Sequence, residues 1–374
     1  MKEFNTSLKE RLSSFDPLLL IFTSLLSILS LLTIYGIRDA SGVSMGNFFM
    51  QLAASAVGSV LALAISTVDY EVIVRRLWVP VAVAEIAVLT LTLVFGTAEG
   101  ANKSWLFLGG FGIQPSEFAK LSFVITFAKH LDLVGNRINR PLPLLTLVLH
   151  AGLVIGLILL SGDLGVALVF VGITAVMLFG AGLNLFYFLG AAAAAVIAFP
   201  YIWPHLREDQ QLRIIYGFNP EGDPLGKGMQ PLLGRECIAR GGLFGNGLNG
   251  GSVYKRLYAC ENDFAFSSLC EKFGVLCGIL TIGLLAALIV RVLYVGFKSR
   301  KKTGSLICIG IAGMLMLQTA ENVGMCLARL PVIGITLPFI SYGGSSVTSV
   351  YLMIGFVHSI WAHRVKYFHE REER

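Results

Sequence analysis

The chain is 374 residues long, 55% hydrophobic and only 14% charged, with a mean hydropathy of +0.74. A soluble domain carries roughly 25% charged residues, so most of this chain has no water to face, and its length is counted in membrane spans of about 20 residues. The net charge of +6 does not point to nucleic acid, because the basic residues gather at the ends of apolar runs, where they set topology.

In chain order, residues 1–16 form a polar tail. The apolar run from Pro17 to Ile37 is too long for a signal-peptide core of about 7–15 residues, and reads as a first span. Hydropathy predicts ten spans: 17–37, 46–67, 77–96, 114–131, 142–160, 163–181, 185–203, 264–296, 304–328 and 346–362. The fourth holds Glu117 and Lys120, and the eighth is long and opens with polar residues. Residues 363–374 form a second tail. The fold class is therefore an all-α polytopic membrane protein, one helical membrane domain over 17–362. With the N-terminus inside, the inner segments carry sixteen Lys and Arg, and the short outer loops only Arg38, Lys103 and Arg329. That asymmetry predicts cytoplasmic termini. A long loop, 204–263, between the seventh and eighth spans then lies outside, with the Gly-rich 97–113 and 329–345. Irregular backbone at membrane depth is tolerated only where protein buries it or a cavity takes it, so three such segments on one face predict a shared outer cavity. No internal repeat suggests a two-halved transporter.

Ionisable residues inside spans are costly and are functional candidates by default. They are Glu85, Glu117, Lys120, Asp163, Asp263, Glu271, Lys272 and Glu321. Asp69 and Glu71 sit at an inner boundary within reach of Arg75 or Arg76. Glu117 and Lys120, three apart, share a helix face, and Pro115 suits a first helical turn. A helix N-terminus with Lys120 is a site for a pyrophosphate, while a buried ion pair locking two helices is the plain structural alternative. Asp163 opens a short outer turn, where capping the next helix explains it equally well. Asp263 closes the long loop just before Phe264. A carboxylate at such a boundary suits a general base for a sugar hydroxyl, and an N-cap role for Asn262 or Asp263 stays open. Trp105 is either a membrane-belt anchor or a sugar platform. Arg213 and six other basic residues make the long loop positive, which suits a solvated face or a phosphate-bearing headgroup. Cys270, Cys277, Cys308 and Cys326 fall in apolar segments. Cys237 and Cys260 share the long outer loop, where a disulfide between them is open.

Four stretches carry a resemblance. Asn102-Lys103-Ser104-Trp105 is followed by Gln114-Pro115-Ser116-Glu117-Phe118-Ala119-Lys120-Leu121. Gly162-Asp163-Leu164-Gly165 forms a turn. Gly241-Gly242-Leu243-Phe244-Gly245 leads to Asp263-Phe264 and Glu271-Lys272-Phe273-Gly274. The last block runs from Asn322-Val323-Gly324-Met325 to Ser341-Tyr342-Gly343-Gly344-Ser345-Ser346. In order and spacing these resemble the SEDS family of shape, elongation, division and sporulation proteins, which includes RodA, FtsW and SpoVE. The resemblance implies a ten-helix bundle with a large extracytoplasmic loop between helices 7 and 8, in the bacterial cytoplasmic membrane. It implies polymerisation of lipid II into glycan strands beside a class B penicillin-binding protein, with membrane lipids around it and no nucleic acid. Asp263 then maps to the catalytic aspartate. Trp105 maps to the family's loop tryptophan; Lys120, Glu117 and Arg213 are candidates for binding the pyrophosphate, and Ser341, Gly343 and Gly344 of the last block further candidates for substrate binding. A divalent cation, Mg or Mn, is compatible with that chemistry, although no ligand cluster marks it. A RodA-like role in elongation is favoured, with division and sporulation open.

The chain also departs from the family pattern. Where the family has P-E-x-H-T-D-F, this sequence reads Tyr258-Ala259-Cys260-Glu261-Asn262-Asp263-Phe264, and Arg240 stands where a small residue is usual. These changes surround the candidate base. They keep a non-catalytic scaffold in view as an alternative, beside a lipid II flippase.

Overall fold

The computed structural model describes residues 15–99, 102–108 and 111–364. Most of both tails, including Lys2, Lys9, Arg11, Lys366, Arg371 and Arg374, lies outside the described residues. Among the described residues there are twelve α-helices: α1 (Pro17–Gly36), α2 (Met45–Ser66), α3 (Tyr70–Phe95), α4 (Pro115–Val134), α5 (Pro141–Leu160), α6 (Leu164–Ala181), α7 (Leu185–Ile202), α8 (Glu208–Phe218), α9 (Met229–Gly241), α10 (Ala265–Phe297), α11 (Lys302–Cys326) and α12 (Gly344–Ala362). Nine of the described helices are long and apolar enough to cross a membrane. The tenth long helix, α4, falls short because Glu117, Lys120, Lys129 and Asp132 dilute its hydropathy. It is nonetheless buried on nearly every side and packs against α3, α11 and α12, so protein rather than lipid receives its charges.

Two differences from the hydropathy reading are physical. α3 starts at Tyr70, seven residues before the expected 77, because Asp69 caps it by accepting the Glu71 N–H at 2.9 Å. Arg75 and Arg76 stand exposed on its first turns, where long side chains reach the interface. Glu71 does not pair with either of them: its carboxylate meets Lys301 at 2.6 Å, joining α3 to the start of α11. Helix α10 explains the long, polar-headed eighth span. It is broken at Gly274, whose φ of +84° is open to glycine, and the glycine-rich turn after α9 docks into the break. There the Val275 N–H reaches the Gly242 carbonyl at 2.8 Å and the Gly247 N–H the Lys272 carbonyl at 2.9 Å.

Around α11 the helices close into a bundle. α12 lies along α2, α10 along α1, and α6 along α11. α7 stands apart, with no buried residue. The bundle is closed at one end by Asp16, fully buried, which caps α1 and pairs with Arg291 of α10 at 2.7 Å. Arg291 is a further charge inside the eighth span, beyond the eight ionisable residues named from the sequence. At the opposite end lie the three irregular segments. The 97–113 segment is not a simple loop but an antiparallel meander, β1 (Thr97–Glu99), β2 (Asn102–Leu108) and β3 (Phe111–Ile113), with Thr97 facing Trp105 and Leu106 facing Ile113. The long loop folds into α8, α9 and short 3-10 turns.

Candidate active site

Asp263 ends the long loop and is half-buried. The cap position of helix α10 falls to Phe264, which makes no side-chain cap bond, rather than to Asn262 or Asp263. The main chain fixes Asp263 instead. Asn322 of α11 donates from Nδ2 to the Asp263 carbonyl at 2.9 Å and to the Ile335 carbonyl at 2.8 Å. One side chain thus pins the loop exit to the 329–343 segment. The Asp263 carboxylate lies against Gly334, where a Cβ would stand 3.7 Å from Oδ2. Gly334 has φ +74° and no side chain to crowd that face.

The three residues before Asp263, two of which depart from the family pattern, are held in the same way. The carbonyls of Cys260, Glu261 and Asn262 accept bonds from Ser268 Oγ (2.8 Å), the Tyr342 N–H (2.7 Å) and Ser341 Oγ (2.6 Å). Every residue type carries that carbonyl, so these three anchors do not depend on the side chains at 261 and 262.

Beside this segment, Glu117 and Lys120 form a buried ion pair, Nζ to Oε1 at 2.8 Å, with the two residues 4% and 1% exposed. Ser349 of α12 stands 3.5 Å from the other Glu117 oxygen. Asp163 caps α6 through the Val166 N–H at 3.0 Å and is close enough to both charges to interact with them electrostatically. Trp105 lies half-buried in β2, with Gly112 of β3 against its ring. The Lys103 N–H ties the meander to the Ser161 carbonyl at 3.0 Å. Arg213 is on the exposed face of α8, paired with Asp209 at 3.0 Å. Hydrogen bonding from Lys227, reinforced by Arg213, holds the Asp209 carboxyl below its ordinary range. One turn on, Gly217 abuts Pro331, so α8 leans on the 329–343 segment and Arg213 stands near its rim.

Ser341 is 1% exposed, and its hydroxyl is engaged with the Asn262 carbonyl and the Leu337 N–H. The Gly343 N–H donates to Gln51 Oε1 at 3.1 Å, while Gln51 Nε2 donates to the Ser341 carbonyl at 3.2 Å. Gly344 opens α12. These three residues brace the segment that faces Asp263. Gln51 and Asn322 do much of this positioning. A scan for misplaced charge cannot find them, because both are neutral; Asn322 was legible only as part of a motif.

Other candidates serve the loop's architecture. Glu271 accepts the N–H groups of Ser252, Val253 and Tyr254 at 2.7–2.9 Å. Lys272 donates to the Gly250 carbonyl at 2.8 Å and lies over the Tyr254 ring. Cys237 and Cys260 are buried free thiols, not a disulfide, and burial pushes both thiols up. Among the described residues, no three His, Cys, Asp or Glu side chains converge to hold a metal.

Comparison with known proteins agrees with this architecture. A profile of the family described as "Cell cycle protein", covering FtsW, RodA and SpoVE, matches residues 13–366. The chain belongs to this family. It is 31% identical to a probable peptidoglycan glycosyltransferase FtsW of Trichlorobacter lovleyi, across 94% of each chain. It is 34% identical to stage V sporulation protein E of Bacillus subtilis, across 92% of this chain and 96% of that one. Among solved structures it resembles, with a TM-score of 0.81 and 28% identity over 94% of this chain and 99% of the other, a protein from work described as "Structural coordination of polymerization and crosslinking by a peptidoglycan synthase complex". It also resembles the rod shape determining protein RodA of Thermus thermophilus, with a TM-score of 0.70 and 25% identity over 94% and 98% of the two chains.

Proposed function

We propose that this chain is a peptidoglycan glycosyltransferase that polymerises lipid II at the outer face of the bacterial cytoplasmic membrane. The names of its relatives support the activity. The observation that carries the site is Asp263, whose main chain is pinned by Asn322 and whose carboxylate lies against the open face of Gly334. In this reading the loop face is the outer face and both termini are cytoplasmic, which the distribution of Lys and Arg supports.

In this reading Asp263 takes the proton of the acceptor sugar's 4-hydroxyl. The freed oxygen attacks the anomeric carbon of the lipid-linked donor. The bond from that carbon to the pyrophosphate oxygen breaks, and undecaprenyl pyrophosphate leaves with the electron pair. Arg213 is the exposed cation suited to the pyrophosphate. The Glu117–Lys120 pair, closed off by α12 and Asp163, shapes the floor beneath it, and Trp105 the sugar side. A class B penicillin-binding protein is the partner, in keeping with the peptidoglycan synthase complex that names one relative.

The backbone anchoring of residues 260–262 favours this reading over an inactive scaffold, since these anchors do not depend on the side chains at 261 and 262. The test is polymerisation of labelled lipid II by the purified chain, alone and with a class B penicillin-binding protein, beside Asp263→Ala. Glycan strands from the wild type and none from the variant are expected. A variant as active as wild type removes Asp263 from the mechanism. A wild type that makes no strands yet still binds its partner makes the chain a scaffold.

A further inference from the structure

The large loop carries two bulky apolar side chains that the bundle leaves uncovered. Leu243 and Phe244, in the glycine-rich turn after α9, are 61% and 81% exposed. Single apolar residues on a wet surface need no explanation, so the level at which this pair stands decides its meaning. Two independent sets of contacts give that level. Helix α10 is 33 residues long. The stretch beyond its break, Val275–Phe297, extends about 35 Å at 1.5 Å per residue, enough to cross a hydrocarbon core of about 30 Å. The break at Gly274 therefore lies at the membrane boundary on the loop side. Helix α1 is a single span of 20 residues that ends at Gly36. A Cβ there would stand 3.4 Å from the Lys272 side chain and 3.6 Å from that of Leu248, and Arg38 just beyond donates to Asn249 Oδ1 at 3.3 Å. The turn is thus held both at the break of α10 and at the outer end of α1. Its main chain is tied into the break by two further bonds, from the Leu276 N–H to the Leu243 carbonyl at 3.3 Å and from the Asn246 N–H to the Glu271 carbonyl at 3.1 Å. Irregular backbone at that depth needs such pairing. The bond from Leu276 also sets Leu243 beside the exposed apolar face of α10, formed by Leu276, Ile279 and Leu280. That face lies within a span and meets lipid, and Leu243 and Phe244 continue it past the break. Arg240, in the last turn of α9, is exposed and meets Glu236 at 3.5 Å.

We propose that Leu243 and Phe244 insert into the acyl-chain boundary of the leaflet on the loop side, with Arg240 at the phosphate level of a phospholipid, and so anchor the large loop to the membrane. An apolar pair beside a basic residue is the pattern of an interfacial anchor, and the long Arg240 side chain can reach a headgroup while its stem lies along apolar surface. The occupant is bilayer phospholipid, because the pair continues a lipid-facing surface and the neighbouring cation complements a phosphate. The same turn is bonded to the outer part of α10, and Asp263 stands just before that helix, so the anchor sets the height of this carboxylate over the bilayer. The anchor holds whether or not Asp263 is a base.

The experiment places a tryptophan at the anchor. The full chain and Phe244→Trp are reconstituted in bilayers of phosphatidylcholine and phosphatidylglycerol, with and without bromine on the acyl chains, and the emission of the four native tryptophans is subtracted using the wild type. The added emission is expected to be blue-shifted, strongly quenched by the brominated chains and nearly untouched by aqueous iodide. Quenching by iodide and not by bromine overturns the proposal. Leu243→Trp gives the same reading should Phe244→Trp fail to fold. Arg240→Glu in the Phe244→Trp chain is expected to weaken the bromine quenching and admit iodide; quenching that does not change removes Arg240 from the anchor. Adding a class B penicillin-binding protein is expected to leave the bromine quenching in place, and its loss assigns the pair to a protein partner and overturns the lipid assignment. In the same bilayers, Leu243→Ser combined with Phe244→Ser is expected to lower lipid II polymerisation several-fold; full activity would mean that the anchor does not set the height of Asp263. A wild type that makes no polymer refutes the glycosyltransferase reading, while the quenching still decides the anchor.

Discussion

The Glu117–Lys120 pair allows bundle stability to be separated from activity. At 2.8 Å and an effective dielectric of about 20, the gross attraction is about 6 kcal/mol, and removing both groups from water cancels much of it. Lys120→Met removes one partner and leaves Glu117, 4% exposed, with only the long contact to Ser349. The expected loss is about 3–5 kcal/mol, the usual cost of a buried charge left without its partner. Adding Glu117→Leu removes the orphaned charge, and the double variant is expected to return to within about 1–2 kcal/mol of wild type or to exceed it. Thermal unfolding of the purified protein in detergent, followed by intrinsic tryptophan fluorescence, measures the cycle, and lipid II polymerisation is read on the same samples. If the pair only locks helices, activity returns with stability. If it also shapes the pyrophosphate site, the double variant is stable and inactive. A Lys120→Met protein as stable as wild type, with no gain on adding the second change, refutes the assignment of a buried, mutually dependent pair.

Three other outcomes follow from the geometry. Gly334→Ala adds a Cβ at a left-handed position, 3.7 Å from Asp263 Oδ2; a stability loss of about 1 kcal/mol with a larger fractional loss of polymerisation is expected, and unchanged activity would mean that this face of Asp263 is not used. Asp39 is paired with Lys255 at 2.7 Å and accepts from the Tyr254 hydroxyl; bonding to Lys255 and then to Tyr254 holds it at about 2, below its ordinary 3.8. Because the folded state depresses this acid, its contribution to stability is complete above pH 3.8 and is lost as pH falls toward 2, so Asp39→Asn should weaken the loop at neutral pH and flatten unfolding curves in that acid window. The buried thiols of Cys237 and Cys260 should react with a maleimide only after denaturation, and non-reducing gels should show no internal crosslink in the native chain.

The membrane class, the ten long helices and the position of the large loop followed from hydropathy, because a membrane-embedded helix advertises itself largely by composition. The motif residues were legible for a related reason: a charge or irregular backbone in a span has few innocent explanations. Other features depended on which side chains meet in space. Sequence left Asp263 either a helix cap or a candidate base, and only the structure shows that the cap position of α10 falls to Phe264. Residues 97–113 hydrogen-bond into a meander that no hydrophobic run announces. Glu71 was given an arginine partner on its own helix and found Lys301 across the bundle. Gln51, Asn322 and Arg291 act through contacts 13 to 292 residues away in the chain, and local sequence carries no signal for pairings at that range. Transfer to lipid is a property of each segment and is written locally; the closing of a polar site is a property of pairs, and the packing of α11 against its neighbours decides it.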